Sequence, residues 1–135
     1  MADRTTDWWN QAQRDVSHAE SAWEDGRHEW ACFAAQQGAE KAVKALHLSY
    51  NQESWGHMVA RLLKDLPSSC PAPEDLIERA QVLDNFYIPA RYPDSHPEGA
   101  PFEHFGSLQS QTALEHARAI LDFVRPQLAE RREGS

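Results

Sequence analysis

Between His28 and Tyr50 the chain is too apolar and too rich in alanine to lie on a surface, reading WACFAAQQGAEKAVKALHLSY from Trp30 onward. Ala35, Ala39, Ala42 and Leu46 fall in one row at helical spacing, and Trp30, Phe33 and Val43 extend the apolar face beside it. Gln37, Glu40, Lys41 and Lys44 form a narrow polar strip, with Glu40 and Lys44 in i,i+4 register read as a solvated pair, or else as a strip lining the cleft. Such a helix needs neighbours on several sides, which places it in the middle of a bundle. Its small residues let those neighbours approach closely.

The flanking segments supply them. From about Asp7 to Asp25, residues Trp9, Ala12, Val16, Ala19 and Trp23 share a face, and Gly26 provides a stop. A short amphipathic piece follows from about Trp55 to Leu66, where Trp55 and His57 are expected to cap and pack the helix, with His57 as a second catalytic base the alternative. Pro73, Glu74 and Asp75 open the next helix, in which Leu76, Ala80, Leu83 and Tyr87 share a face. It is predicted to end near Ile88, because Pro89 has no N–H to donate. The last helix starts at Ser107, read as its N-cap, and carries Leu114, Ala117, Leu121, Val124 and Leu128. Pro126 is expected to kink or fray it, and the tail AERREGS to be loose. No stretch alternates with the period of two of a half-buried strand. The expected architecture is an all-α, up-and-down antiparallel bundle of four long helices plus one short one. It forms a single domain over 1–130 with a disordered tail at 131–135.

The function classes narrow next. At 135 residues there is one core, and no run approaches the ~18 apolar residues of a membrane span. The opening MADRTTDWWN lacks a signal-peptide pattern, so the expected location is cytoplasmic, with Cys32 and Cys70 as free thiols. The formal charge of −8 speaks against a nucleic-acid coat protein, which binds through many Lys and Arg. No glutamate has a histidine three positions on, and no HExxH, paired CxxC, P-loop, GxGxxG or GxSxG pattern occurs. Neither a cofactor nor a metal is expected; His96, His104 and Asp94 fit no standard ligand spacing. His18, His28, His47 and His116 read as solvated or core-edge residues, and Trp8, Trp9, Trp23 and Trp30 as core or interface.

Chemistry concentrates in the Pro-rich segment 89–106 and the residues just before it. Tyr87, Arg91, Tyr92, Asp94 and His96 bring a guanidinium, a carboxylate, an imidazole and two phenols within ten residues. A guanidinium is a bidentate phosphate ligand by geometry, and an imidazole titrates in the range useful for acid–base work. An Arg91–Asp94 ion pair locking the loop to the bundle is the plainer alternative.

Three motifs carry a resemblance. FAAQQGAEKAVKALHL (Phe33 to Leu48) resembles the second-helix signature of HEPN domains, the higher-eukaryote and prokaryote nucleotide-binding family. WGHMVARLLKDL (Trp55 to Leu66) is similar to the family's short His-x-x-x-x-Leu-Leu helix, and YIPARYPDSHPEG (Tyr87 to Gly99) to its YxxxRYPD subgroup. The resemblance spans about residues 7 to 128, with the motifs in order. It implies a helical bundle that commonly forms a homodimer, and frequent pairing with a minimal nucleotidyltransferase in toxin–antitoxin-like modules. Many members are metal-independent endoribonucleases with an Arg-x4-6-His motif, which Arg91 and His96 match with four residues between them. His96 would then move a proton, Arg91 would stabilise phosphate charge, and two motifs would meet across the dimer. Tyr92 follows the arginine where active members often carry a polar residue. Glu98 stands where members modified by a partner nucleotidyltransferase carry tyrosine.

Two further readings stand beside that one. The chain could be a non-catalytic subunit that binds a nucleotide or completes a nucleotidyltransferase site with a partner chain, with Arg91 clamping a phosphate, Tyr87 or Tyr92 stacking on a base, and Asp94 contacting ribose or metal. It could also be a purely structural dimeric bundle with a stabilising RYPD corner.

Overall fold

The computed structural model describes residues 3–133, and the helices follow the apolar periodicity closely. They are α1 (Thr5–Glu24), α2 (His28–Ser49), α3 (Val59–Lys64), α4 (Glu74–Asp84) and α5 (Ser107–Glu133), with no strand among the described residues. Two 3₁₀ turns, Pro93–Ser95 and Pro101–Glu103, interrupt the segment between α4 and α5. None of the helices is long and apolar enough to cross a membrane.

Helix α2 packs against α1, α3, α4 and α5, the central position its composition requires. Its buried alanines and leucines interleave with Ala12, Val16 and Ala19 of α1 and with Ala113, Ala117, Ile120 and Val124 of α5. Gly38 marks a close approach of α1 and α2: a Cβ there would stand 2.7 Å from Val16 Cγ2 and 3.0 Å from the Ala12 carbonyl oxygen. The α1–α2 turn closes at Gly26, whose φ of +77° lets Arg27 N–H reach the Ala22 carbonyl at 2.8 Å.

Several boundaries differ from the sequence reading. Helix α4 stops at Asp84, four residues before the expected end, because Pro89 cannot continue the ladder. The chain goes on coiling in turns, with Tyr87 N–H on the Asp84 carbonyl at 3.2 Å and Arg91 N–H on the Ile88 carbonyl at 3.0 Å. Ser107 is the first residue of α5, and its hydroxyl accepts from Trp23 Nε1 at 3.3 Å instead of capping. The Gln109 side chain bonds Gly106 N–H at 2.8 Å, closing that helix start.

Helix α5 continues through Pro126 to Glu133, so residues 131–133 are helical where a disordered tail was expected; 134 and 135 lie outside the described residues. Pro126 sits on the solvent side while Val124 and Leu128 hold the core. The last turn is tied down by Arg131, stacked 4.0 Å over Tyr50 and donating to the Ser49 carbonyl at 3.1 Å. Trp55 is 82% exposed and does not pack α3, and Trp30, at 47% exposed, lies outside the core of the single chain. The α3 N-terminus is capped instead by Asp84, which accepts from Val59 N–H at 2.8 Å and Ala60 N–H at 3.0 Å.

Candidate functional site

The turns after α4 place Tyr87 and Arg91 four residues apart on one side of the chain, so Arg91 Nε donates to the Tyr87 carbonyl at 2.9 Å. The guanidinium carbon then lies 4.5 Å from the Phe33 ring centre, 4.5 Å from Tyr87 and 4.9 Å from Tyr92. Aromatic faces attract a cation without cancelling its charge. No ion pair joins Arg91 to any described residue, and Asp94 lies exposed in the first 3₁₀ turn. The expected Arg91–Asp94 lock is therefore not formed. The result is a half-buried, positioned guanidinium whose positive charge is uncompensated, on a chain of net charge −8.

Phe33 is the member of this cradle that sequence reasoning assigned to the core. It comes from α2, packs edge-on to Trp30 at 6.2 Å, and faces Tyr87 at 6.1 Å. With Trp30, Gln37, Lys41 and His18 it also lines a shallow groove of about 300 Å³.

His96 stands in a separate cluster. Its Nε2 lies 2.8 Å from the Pro89 carbonyl oxygen, which can only accept, so Nε2 carries the hydrogen and neutral His96 keeps a bare Nδ1. Its ring stacks on His104 at 4.1 Å with 4° between planes, and meets the edge of Phe105 at 6.1 Å. His104 Nε2 donates in turn to the Glu98 carbonyl at 2.6 Å. Gly99, at φ +81°, admits this packing, since a Cβ would fall 3.1 Å from His104 Nε2. The loop is thus held by its own hydrogen bonds. Tyr87, Tyr92 and Arg91 come together, whereas Asp94 and His96 do not join them within one chain.

A third polar group adjoins the cradle. Glu40 is buried, not solvated: it accepts from Lys44 Nζ at 3.1 Å, from Gln37 Nε2 at 3.3 Å and from His57 Nδ1 at 3.2 Å. The His57 ring stacks on Tyr87 at 5.1 Å. Gln36, also buried, donates to the His57 carbonyl at 2.7 Å and to Asp84 at 3.3 Å. Burial of Asp84 pushes its carboxyl above the ordinary range, against the hydrogen bonds from Ala60, Val59 and Gln36.

Other candidates fall away. His47 is buried, with Nε2 on the Leu62 carbonyl at 2.8 Å, and ties α2 to α3. Burial pushes the Cys32 thiol up to about 12, which leaves it inert as a nucleophile; both cysteines are free and buried. Among the described residues no group of three His, Cys, Asp or Glu side chains is arranged to hold a metal ion.

Fold and site define a helical bundle that presents a half-buried guanidinium against three aromatic rings. The chain belongs to the HEPN family: the HEPN domain model matches residues 5–127. The structure is similar to that of TT1696 from Thermus thermophilus, with 48% identity over 93% of this chain and 99% of that one, at a TM-score of 0.91. It is also similar to ST0689, an archaeal HEPN homologue, at 38% identity, 94% and 99% coverage and a TM-score of 0.79. A HEPN domain protein of Thermotoga maritima, tm0613, gives 32% identity, 90% and 97% coverage and a TM-score of 0.73. No curated protein matches the chain.

Proposed function

We propose that two copies of this chain form a metal-independent endoribonuclease, of the kind found as toxins beside a minimal nucleotidyltransferase. Arg91 binds the scissile phosphate and His96 is the acid–base group. The observation that carries the reading is the uncompensated Arg91 guanidinium, fixed by the Tyr87 carbonyl and three aromatic rings. A phosphate diester supplies the anion, and a flanking base can stack on exposed Tyr92. His96 is prepared for proton acceptance because the Pro89 carbonyl fixes the tautomer with a bare Nδ1. Arg91 and His96 belong to different clusters within one chain, which supports a site completed by the second copy.

That same separation favours one alternative, a non-catalytic subunit in which Arg91 clamps a nucleotide phosphate and His96 only braces its loop. Paired measurements divide the two. The endoribonuclease loses cleavage with His96→Ala while RNA affinity stays within a few-fold, and loses both with Arg91→Ala. The binding subunit cleaves nothing and loses nucleotide affinity with Arg91→Ala alone.

A further inference from the structure

A buried carboxylate on the central helix is costly unless its charge is met, and Lys44 at 3.1 Å already meets that of Glu40. Yet Glu40 also takes Nδ1 of His57, a residue of the segment between α2 and α3 whose side chain is 56% exposed. The backbone of that segment is pinned as well. Gln36 holds the His57 carbonyl at 2.7 Å, and Asp84 holds the N–H groups of Val59 and Ala60. The ring itself stacks on Tyr87 at 5.1 Å with 18° between planes. Arg91 lies over the same Tyr87 ring at 4.5 Å, so one side chain separates the imidazole from the guanidinium.

We propose that His57, oriented by the buried Glu40 carboxylate, is a second acid–base group at the Arg91 phosphate site and protonates the leaving oxygen of the cleaved RNA. The inference rests on the endoribonuclease reading. A carboxylate accepts only, so Nδ1 carries a hydrogen in either protonation state and Nε2 is the nitrogen that exchanges a proton. A carboxylate that fixes the ring and tautomer of a half-exposed histidine is the arrangement by which acid–base histidines are prepared. The groups facing His57 are Glu40, Lys44 behind it, Tyr87, and Arg91 beyond that ring.

The step balances. His96 Nδ1 takes the proton of the 2′-hydroxyl, and the 2′-oxygen forms a bond to phosphorus. The bond from phosphorus to the 5′-oxygen breaks, and that oxygen takes the proton from His57 Nε2. The products are a 2′,3′-cyclic phosphate and a 5′-hydroxyl; one proton has passed from His57 to His96, and water exchange resets both. Glu40 is a positioning residue throughout.

The test uses the full chain and two substrates in EDTA: an RNA oligonucleotide, and the nitrophenyl ester of uridine 3′-phosphate, whose leaving group departs without a proton. His57→Asn keeps an amide donor for Glu40. It is expected to slow RNA cleavage roughly 100-fold while changing nitrophenyl ester cleavage by about threefold or less. Glu40→Gln, which keeps an acceptor for Nδ1, should move in the same direction with the same dependence on leaving group. His96→Ala should slow both substrates. The proposal is overturned if His57→Asn cleaves RNA at the wild-type rate, or slows both substrates equally, as a structural effect would. Absence of any cleavage by the wild type overturns the endoribonuclease reading with it, and so is distinct from a failure confined to His57.

Discussion

Arg91 matters through the geometry of its charge as well as its sign. A lysine retains the positive charge but lacks the Nε donor that reaches the Tyr87 carbonyl and the planar group that lies over the rings. Arg91→Lys should therefore weaken RNA or nucleotide binding roughly 10-fold and Arg91→Ala roughly 100-fold, read by titration at fixed ionic strength. His116 makes a second residue-scale case. It meets Arg79 Nη1 through Nδ1 at 3.1 Å; the guanidinium can only donate, so His116 is neutral there. Burial first, and then Arg79, hold its pKa below the ordinary 6.5. The unfolded chain then binds more protons than the folded one, so stability rises with pH up to about 6.5 and is lost as pH falls below it. Thermal midpoints from pH 7.5 down to 5 should decline, and His116→Gln should flatten that slope.

At the scale of the element, two contacts decide how tightly the helices that carry the site are held. Gly38→Ala gains helix propensity, but its methyl meets Val16 Cγ2 and the Ala12 carbonyl oxygen, and backbone yields little. The net expectation is a loss of about 1 kcal/mol or more, seen as a lower denaturation midpoint at unchanged slope. Asp84→Ala removes the cap of α3 and a partner of buried Gln36, and should cost about 2 kcal/mol. Asp84→Asn, which keeps an acceptor, should cost less. Helices α1, α2 and α5 were legible because a 3.6-residue period is written in each of them. The end of α4 was not, since a proline's effect falls on the residues before it and turns can follow. Phe33 read as core because an aromatic on an apolar face gives no sign that a cation covers it. Glu40 read as solvated because only the folded segment over it, His57 included, turns a polar strip into an interior one. Arg91 and Tyr87 stood out in the sequence, and their contact required the unwound end of α4.

For the whole molecule, on the endoribonuclease reading, the balance of −8 sets the terms of RNA binding. Few cations face the phosphates, so affinity should depend only weakly on salt, with a slope of log affinity against log salt nearer about −1 to −2 than the much steeper values of coat proteins. In this account the 2′-hydroxyl supplies the nucleophile, the protein supplies charge and protons, and no metal takes part in either role. The most direct measurement is cleavage of a defined RNA by the wild-type chain in excess EDTA, with the termini of the products analysed. The expected result is 2′,3′-cyclic phosphate ends, no cutting where the scissile nucleotide is 2′-deoxy, and no cutting by folded His96→Ala. Intact RNA in the presence of folded, dimeric wild type, or cleavage that persists in His96→Ala, would contradict it.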